Sequence, residues 1–225
     1  MTFQFDECEK IIIFGSSKNL IIADHWKKRK GTAWIMINHA WQIRRKYNAW
    51  DKIVCSDKYL SGLEGDKDIG KRVEEMPIRY GDYIVLWKYP TLRKKYFGIG
   101  RPGKISPDQV GKTMFFWACY YGIEIYQPSK IGVVGCDMDY KQYSEGEDNA
   151  FFGVATPDPF ISLGSKEEII KRLNILEDFC KEEEIELVNL STADWTILPF
   201  KKETYENFLI SKGILIWHKN GKKQN

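Results

Sequence analysis

The stretch Lys130-Ile-Gly-Val-Val-Gly-Cys-Asp-Met-Asp-Tyr140 decides the fold, because a short apolar segment in it ends abruptly in two carboxylates. A short apolar run with this abrupt end predicts a strand buried on both faces of a parallel sheet. Open α/β sheets bind their ligands at the carboxyl ends of such strands. Asp137 and Asp139 are therefore the first candidates for a functional site.

A second segment of the same form, Lys10-Ile-Ile-Ile-Phe-Gly-Ser-Ser17, lies near the start of the chain. Glycine after a strand allows close backbone approach, and hydroxyls and amides at such a turn can bind phosphate oxygens. Gly15, Ser16 and Ser17 are predicted to bind a nucleotide, with an ordinary strand-to-helix turn as the alternative. The segment contains neither the GxxxxGK[ST] phosphate loop nor the GxGxxG dinucleotide motif.

The remaining apolar runs alternate with helical patterns, which predicts an α/β domain with a mostly parallel sheet of about six strands and helices on both faces. The predicted strands are Ile11 to Phe14, Thr32 to Ile37, Lys52 to Cys55, Tyr83 to Trp87, Lys130 to Val134 and Glu186 to Leu190. A capping box, Ser165-Lys-Glu-Glu168, predicts that a long helix begins at Ser165. Residues 1–200 are interpreted as one domain and residues 201–225 as a helical, basic appendage.

Length and composition suit a single α/β domain that does not span a membrane. The chain has 225 residues, of which 43% are hydrophobic, and no apolar run approaches the roughly 18 residues of a membrane span. Its first residues lack the basic and then apolar order of a signal peptide, so a cytoplasmic location is expected. Five scattered cysteines without a CxxC pair favour reduced thiols over disulfides or a zinc site.

Basic residues are clustered, although the net charge is only +3. The clusters are Lys27 to Lys30, Arg44 to Lys46, Arg93 to Lys95 and Lys219 to Lys223. Several of them adjoin aromatic residues, and such clusters can grip a phosphate backbone and stack bases. The alternative is a solvated surface balanced by acidic runs.

Asn38 and the two aspartates each have two interpretations. Asn38 follows the second predicted strand, where it can read a base or ribose or cap a helix. Asp137 and Asp139 form a DxD pair that can hold Mg²⁺ or Mn²⁺ against a nucleotide diphosphate. Alternatively, Asp137 only accepts hydrogen bonds that shape its loop.

Taken in order, these pieces resemble the bacterial sialyltransferases that build lipooligosaccharide, together with related Rossmann-like glycosyltransferase domains. The matching stretches are Gly15 to Leu20, Asn38 to Trp41, Gly111 to Gly122 and Gly135 to Tyr140. The resemblance implies a single Rossmann-like domain that moves a sugar from a nucleotide-sugar donor to an acceptor hydroxyl. With the basic clusters, a hydroxymethylated DNA base is an acceptor to consider beside a glycan.

The resemblance also implies roles for individual residues. Gly15 and Asn38 would contact the nucleotide, the segment at Gly111 would approach the phosphate, and Tyr140 would stabilise the departing phosphate. Lys112, next to Gly111, is a further candidate for that stabilisation.

The general base is where this chain departs from the family, because the family's histidine has no counterpart here. Asp158, Asp139 or His39 must then take the proton of the acceptor hydroxyl. Asp158 is the first candidate, since Pro157 and Pro159 hold it rigidly, and partial burial can raise the pKa of a carboxyl towards neutrality.

Two other classes of function remain open. One is a Mg²⁺-dependent, pyrophosphokinase-like phosphoryl transferase, in which Asp137 and Asp139 would bind the metal. The other is a noncatalytic module that binds nucleotides or nucleic acid. The oligomeric state is not predicted.

Overall fold

The computed structural model describes residues 8–44, 51–55, 83–85, 114–137, 166–194 and 196–210. Its strands are β1 (Lys10–Phe14), β2 (Thr32–Ile37), β3 (Lys52–Cys55), β4 (Tyr83–Val85), β5 (Lys130–Val134), β6 (Glu186–Asn189) and β7 (Lys201–Lys202). Its α-helices are α1 (Met114–Tyr126), α2 (Lys166–Glu182) and α3 (Tyr205–Ile210), and 3-10 helices span Lys18–Ala23 and Asn38–Arg44.

All neighbouring strands pair in parallel, in the order β4-β3-β2-β1-β5-β6-β7. The α/β fold predicted from the apolar runs, and the Rossmann-like domain that the resemblance implies, are therefore confirmed. All six predicted strands are present, and the fourth is described from Tyr83 to Val85. The observed β6 ends at Asn189, one residue before the predicted end. A seventh strand, β7, consists of two exposed lysines and was not predicted.

The sheet is covered on both faces, as its uniformly apolar strands require. Every residue of β1, β2 and β5 is buried. On one face α1 and α2 pack over Ile11, Ile13 and Val133, and on the other the 3-10 helices and α3 pack over Ile12 and Phe14. Alternate residues of each strand therefore serve two separate cores.

Two buried lysines attach residues 203–209 to the amino-terminal ends of the strands. Lys130 is 1% exposed and lies 2.6 Å from Glu203 and 3.1 Å from Glu186. Its strand partner Lys10 donates a hydrogen bond of 2.6 Å to the carbonyl of Leu209. Burial lowers the pKa of Lys10 below its ordinary value. Residues 201–210, placed in an appendage by the sequence, thus pair with β6 through β7 and pack on the sheet through α3.

Three cysteines lie in the core on the α1 and α2 side of the sheet. Cys119, Cys136 and Cys180 are free and buried. Burial raises the pKa of Cys180 to about 12 and raises the pKa of the other two well above the ordinary value. These thiols therefore stay protonated near neutral pH, where a thiol is a poor nucleophile.

Strand order also positions the candidate site. β1 pairs with β2 on one side and with β5 on the other. The connections that leave the carboxyl ends of β1 and β5 diverge at this point, and such switch points hold the ligand crevice of open α/β sheets.

Candidate functional site at the carboxyl edge of the sheet

The turns that follow β1 and β5 pack directly against each other. The Ser17 amide donates a hydrogen bond of 2.9 Å to the carbonyl of Gly135. A Cβ atom at Gly15 would lie 2.2 Å from that carbonyl oxygen, and Gly135 itself has a φ of +67°. Both positions thus require glycine, because the two backbones touch. The backbone at Gly15 therefore lies close to the turn after β5.

Asp137 sits at the centre of a buried polar cluster next to these turns. Its side chain is 3% exposed. The Ser17 hydroxyl donates to Oδ2, and the Ser191 hydroxyl donates to Oδ1 at 2.8 Å. The carbonyl of Asp137 also accepts a hydrogen bond of 3.2 Å from the amide of Ile197. Asp137 therefore joins the turns after β1 and β5 to the loop after β6.

The loop after β6 completes the cluster. The Asn19 side-chain amide donates to the Ser191 hydroxyl, and the Thr192 hydroxyl donates to Asn19 Oδ1 at 3.1 Å. The Ser191 hydroxyl also accepts a hydrogen bond of 3.2 Å from the amide of Ala193. The Ser191 amide donates one of 2.9 Å to Asn189 Oδ1. This cluster of Ser17, Asn19, Asp137, Asn189, Ser191 and Thr192 is called the carboxyl-edge cluster below.

Two asparagines at this edge carry unsatisfied amide atoms. Asn38 directly follows β2 and has a φ of +48°, a left-handed conformation that asparagine tolerates better than most residues. Within the part of the chain that the structure describes, Asn38 Oδ1 and Asn189 Nδ2 are buried without a hydrogen-bond partner. Buried polar atoms are rarely left unpaired, so these two need an explanation.

The structure brings some of the predicted residues together and leaves others undescribed. Gly15, Ser17 and Asp137 meet at the switch point, with Ser16 in the same turn, while Asn38 and the half-buried His39 lie at the end of β2. Gly111, Lys112, Asp139, Tyr140 and Asp158 lie outside the described residues. Their predicted roles stay predictions.

Sequence reasoning missed Asn19, Asn189, Ser191 and Thr192. The signal was present, since Glu186-Leu-Val-Asn-Leu-Ser-Thr192 is another apolar strand that ends in polar residues. It has the same form as the segments that end in Ser17 and Asp137. In a parallel sheet, all such endings point to one edge.

The metal interpretation of the DxD pair remains a prediction. Both carboxylate oxygens of Asp137 already accept hydrogen bonds from serine hydroxyls. Among the described residues, no group of three or more His, Cys, Asp or Glu side chains is arranged to hold a metal ion. Asp139, the second member of the pair, lies outside them.

Replacing Asp137 by alanine is expected to lower the free energy of unfolding by about 2 to 3 kcal/mol, because it leaves the buried Ser191 hydroxyl and the Ser17 hydroxyl without an acceptor. Asp137→Asn keeps one acceptor oxygen and is expected to lose less. Urea unfolding would measure both variants, with Asp194→Ala as the control because that carboxylate is fully exposed. Equal stability of Asp137→Ala and the control would show that the cluster does not hold the three loops together.

Comparison with known proteins gives structural likenesses only. No family model and no curated protein matches the sequence. The sialyltransferase CstII from Campylobacter jejuni, solved with cytidine-5'-monophosphate, is similar at 16% identity and a TM-score of 0.40, over 94% of each chain. The α-2,3-sialyltransferase Cst-I from the same organism is similar at 14% identity and a TM-score of 0.35, over 95% of this chain and 90% of that one.

The predicted remote resemblance is thus found among solved structures as well. At these TM-scores the fold assignment rests on the strand order of the chain itself. Within the described ranges, no helix combines the length and apolar character needed to cross a membrane.

Proposed function

We propose that this chain is a nucleotide-sugar-dependent glycosyltransferase that binds its donor at the carboxyl edge of the sheet, on both sides of the β1 and β5 turns. The observation that carries the proposal is the pair of unsatisfied amide atoms, Asn38 Oδ1 and Asn189 Nδ2. They lie at the ends of β2 and β6, the strands that flank β1 and β5 in the sheet. One is an acceptor and the other a donor.

A nucleotide suits such a pair chemically. Its base and ribose offer both donors and acceptors, and an amide side chain can pair with either kind. Sites built with buried polar groups discriminate well, because a ligand that lacks the matching atom leaves those groups unpaired. The sequence resemblance supports the same site, because it implies that Asn38 contacts the nucleotide.

The transfer itself needs two further kinds of group. The departing phosphate needs hydrogen-bond donors or positive charge, for which Tyr140 and Lys112 are the proposed residues. The acceptor hydroxyl needs a base, for which Asp158, Asp139 and His39 are proposed. The acceptor itself is proposed as a glycan hydroxyl or a hydroxymethylated DNA base, and transfer of a labelled sugar to each would separate them.

Isothermal titration with CMP, UDP, GDP and ATP, each with and without Mg²⁺, tests the donor site. Binding of CMP, UDP or GDP without a metal requirement is expected. Binding of ATP alone, and only with Mg²⁺, would replace the glycosyltransferase by the phosphoryl transferase. Nucleotide binding without any turnover of nucleotide sugars would indicate a noncatalytic module.

Removing the Asn38 side chain is expected to weaken nucleotide binding by about 1 to 3 kcal/mol, because a buried hydrogen bond to the ligand is lost. Two variants separate that loss from backbone strain: Asn38→Gly keeps the positive φ without strain, whereas Asn38→Ala does not. Both should lose affinity equally, and the exposed Asn207→Ala should lose none. If only Asn38→Ala loses affinity, the residue acts through the backbone and the amide does not contact the nucleotide.

A further inference from the structure

A strongly basic loop leads from the first 3-10 helix into β2, on the opposite edge of the sheet from the carboxyl-edge cluster. Lys27, Lys28, Arg29 and Lys30 are consecutive and exposed, and they are called the basic loop here. β2 begins at Thr32, which lies beside Lys10 at the start of β1. The loop therefore lies towards the amino-terminal edge of the sheet.

The loop is held in one conformation at both of its ends. Trp26 stacks on Tyr205 of α3 with ring centroids 4.2 Å apart and planes within 4°. The Tyr205 hydroxyl donates to the carbonyl of Lys27 at 2.7 Å. At the other end Lys10 donates its amide to the carbonyl of Gly31 at 3.2 Å, and Gly31 adopts a φ of +77°. The cations are thus presented by a fixed backbone.

Within the described ranges, one of the four loop cations has an ion-pair partner. Lys28 forms an ion pair with Asp51. Lys27, Arg29 and Lys30 have no ion-pair partner in the part of the chain that the structure describes. Like charges held close together repel one another unless an external anion binds them.

The tryptophan and tyrosine rings next to this loop are buried. Trp26 is 7% exposed, Trp34 is fully buried and Tyr205 is 6% exposed. These three rings pack inside the protein and are not exposed for stacking on bases, whereas His25, which also adjoins Lys27 to Lys30, is exposed. What the loop itself offers an external partner is mainly charge.

An exposed apolar side chain lies at the same edge. Ile210 ends α3 and is 78% exposed. The carbonyl of Leu209, the residue before it, accepts a hydrogen bond from the Lys10 side chain. The Lys10 amide donates a hydrogen bond to the carbonyl of Gly31 at the end of the loop. Cations beside an exposed apolar residue match the interface of an anionic bilayer, which offers negative headgroups above hydrocarbon.

We propose that the basic loop and Ile210 dock the protein reversibly on an anionic lipid surface. The loop cations would contact the headgroups, and Ile210 would enter the boundary between headgroups and acyl chains. Because this edge is opposite to the carboxyl-edge cluster, a docked molecule keeps that cluster away from the lipid. The proposal does not depend on the proposed transferase activity.

Co-sedimentation with vesicles tests the proposal, using phosphatidylcholine alone and phosphatidylcholine mixed with phosphatidylglycerol at low and high salt. Binding only to the mixed vesicles, weakened by salt, is expected. The double variant Arg29→Gln with Lys30→Gln should lower partitioning about 30-fold, because each cation near the surface strengthens binding by a factor of about five to six. Ile210→Ser should lower it less and leave the salt dependence unchanged.

The matched control is Lys171→Gln with Lys181→Gln, which removes the same charge from exposed positions of α2. Circular dichroism would check that each variant is folded. Equal losses in the two double variants would overturn the proposal, because net charge rather than the loop would then drive binding. Retention of duplex DNA through the loop without vesicle binding would also overturn it and would assign the loop to nucleic acid.

Discussion

Replacing Gly15 by valine is expected to destabilise the fold by roughly 3 kcal/mol or more, because a branched side chain there must displace a neighbouring backbone. A Cβ atom at Gly15 would lie 2.2 Å from the carbonyl oxygen of Gly135 and 2.5 Å from Cys136 Sγ. Neither group can move freely, because the Gly135 carbonyl accepts a hydrogen bond from the Ser17 amide and Cys136 is next to Asp137, which is held in the carboxyl-edge cluster. Urea unfolding of the variant would measure the loss.

Two further glycine variants make the expectation specific. Gly15→Ala places the same Cβ atom and should account for most of the effect. Gly31→Ala is the control, since Gly31 has a positive φ but no atom within 4 Å of the added Cβ, so its cost is limited to about 1 kcal/mol of backbone strain. A folded Gly15→Val variant of ordinary stability that no longer binds nucleotide would instead place Gly15 against the ligand.

The strands could be predicted from the sequence because the signal for them is local. A residue of β1 or β5 is buried on whichever face it points to, so the whole segment is apolar and stands out. β7 could not be predicted this way: Lys201 and Lys202 are exposed, and only pairing with Val188 and Asn189 makes them a strand. That pairing depends on a neighbour in space and leaves no local pattern.

The site was predictable only in part for the same reason. Ser17 and Asp137 end apolar runs, so each was visible, and a parallel sheet brings such ends together. The contacts that join the cluster across the sheet edge link residues far apart in sequence, such as Asn19 and Ser191, which are 172 positions apart. No spacing rule links such a pair. The role of Gly15 was equally hidden, because a glycine that meets a second turn looks the same in sequence as one that meets a phosphate.

Topology gives a reason to look for the general base between β5 and α2. β5 reaches the carboxyl edge at Val134, where Asp137 joins the cluster. α2 leads directly into β6, which runs parallel to β5, so α2 itself begins at the carboxyl edge. The last described residue before Asp158 and the first described residue after it therefore both lie towards this edge. His39, another of the candidate bases, lies at this edge just after β2.

Asp158→Asn is expected to lower kcat by about 10²-fold to 10⁴-fold while nucleotide affinity stays level, because the amide keeps the shape of the carboxylate but cannot accept the proton. Transfer and hydrolysis of the nucleotide sugar should be assayed together with titration of the nucleotide. Asp139→Asn and His39→Ala test the other two candidates, and the exposed Asp194→Asn controls for loss of a surface charge. Unchanged transfer by Asp158→Asn would remove it as the base, and a selective loss in one companion would identify the residue that takes the proton.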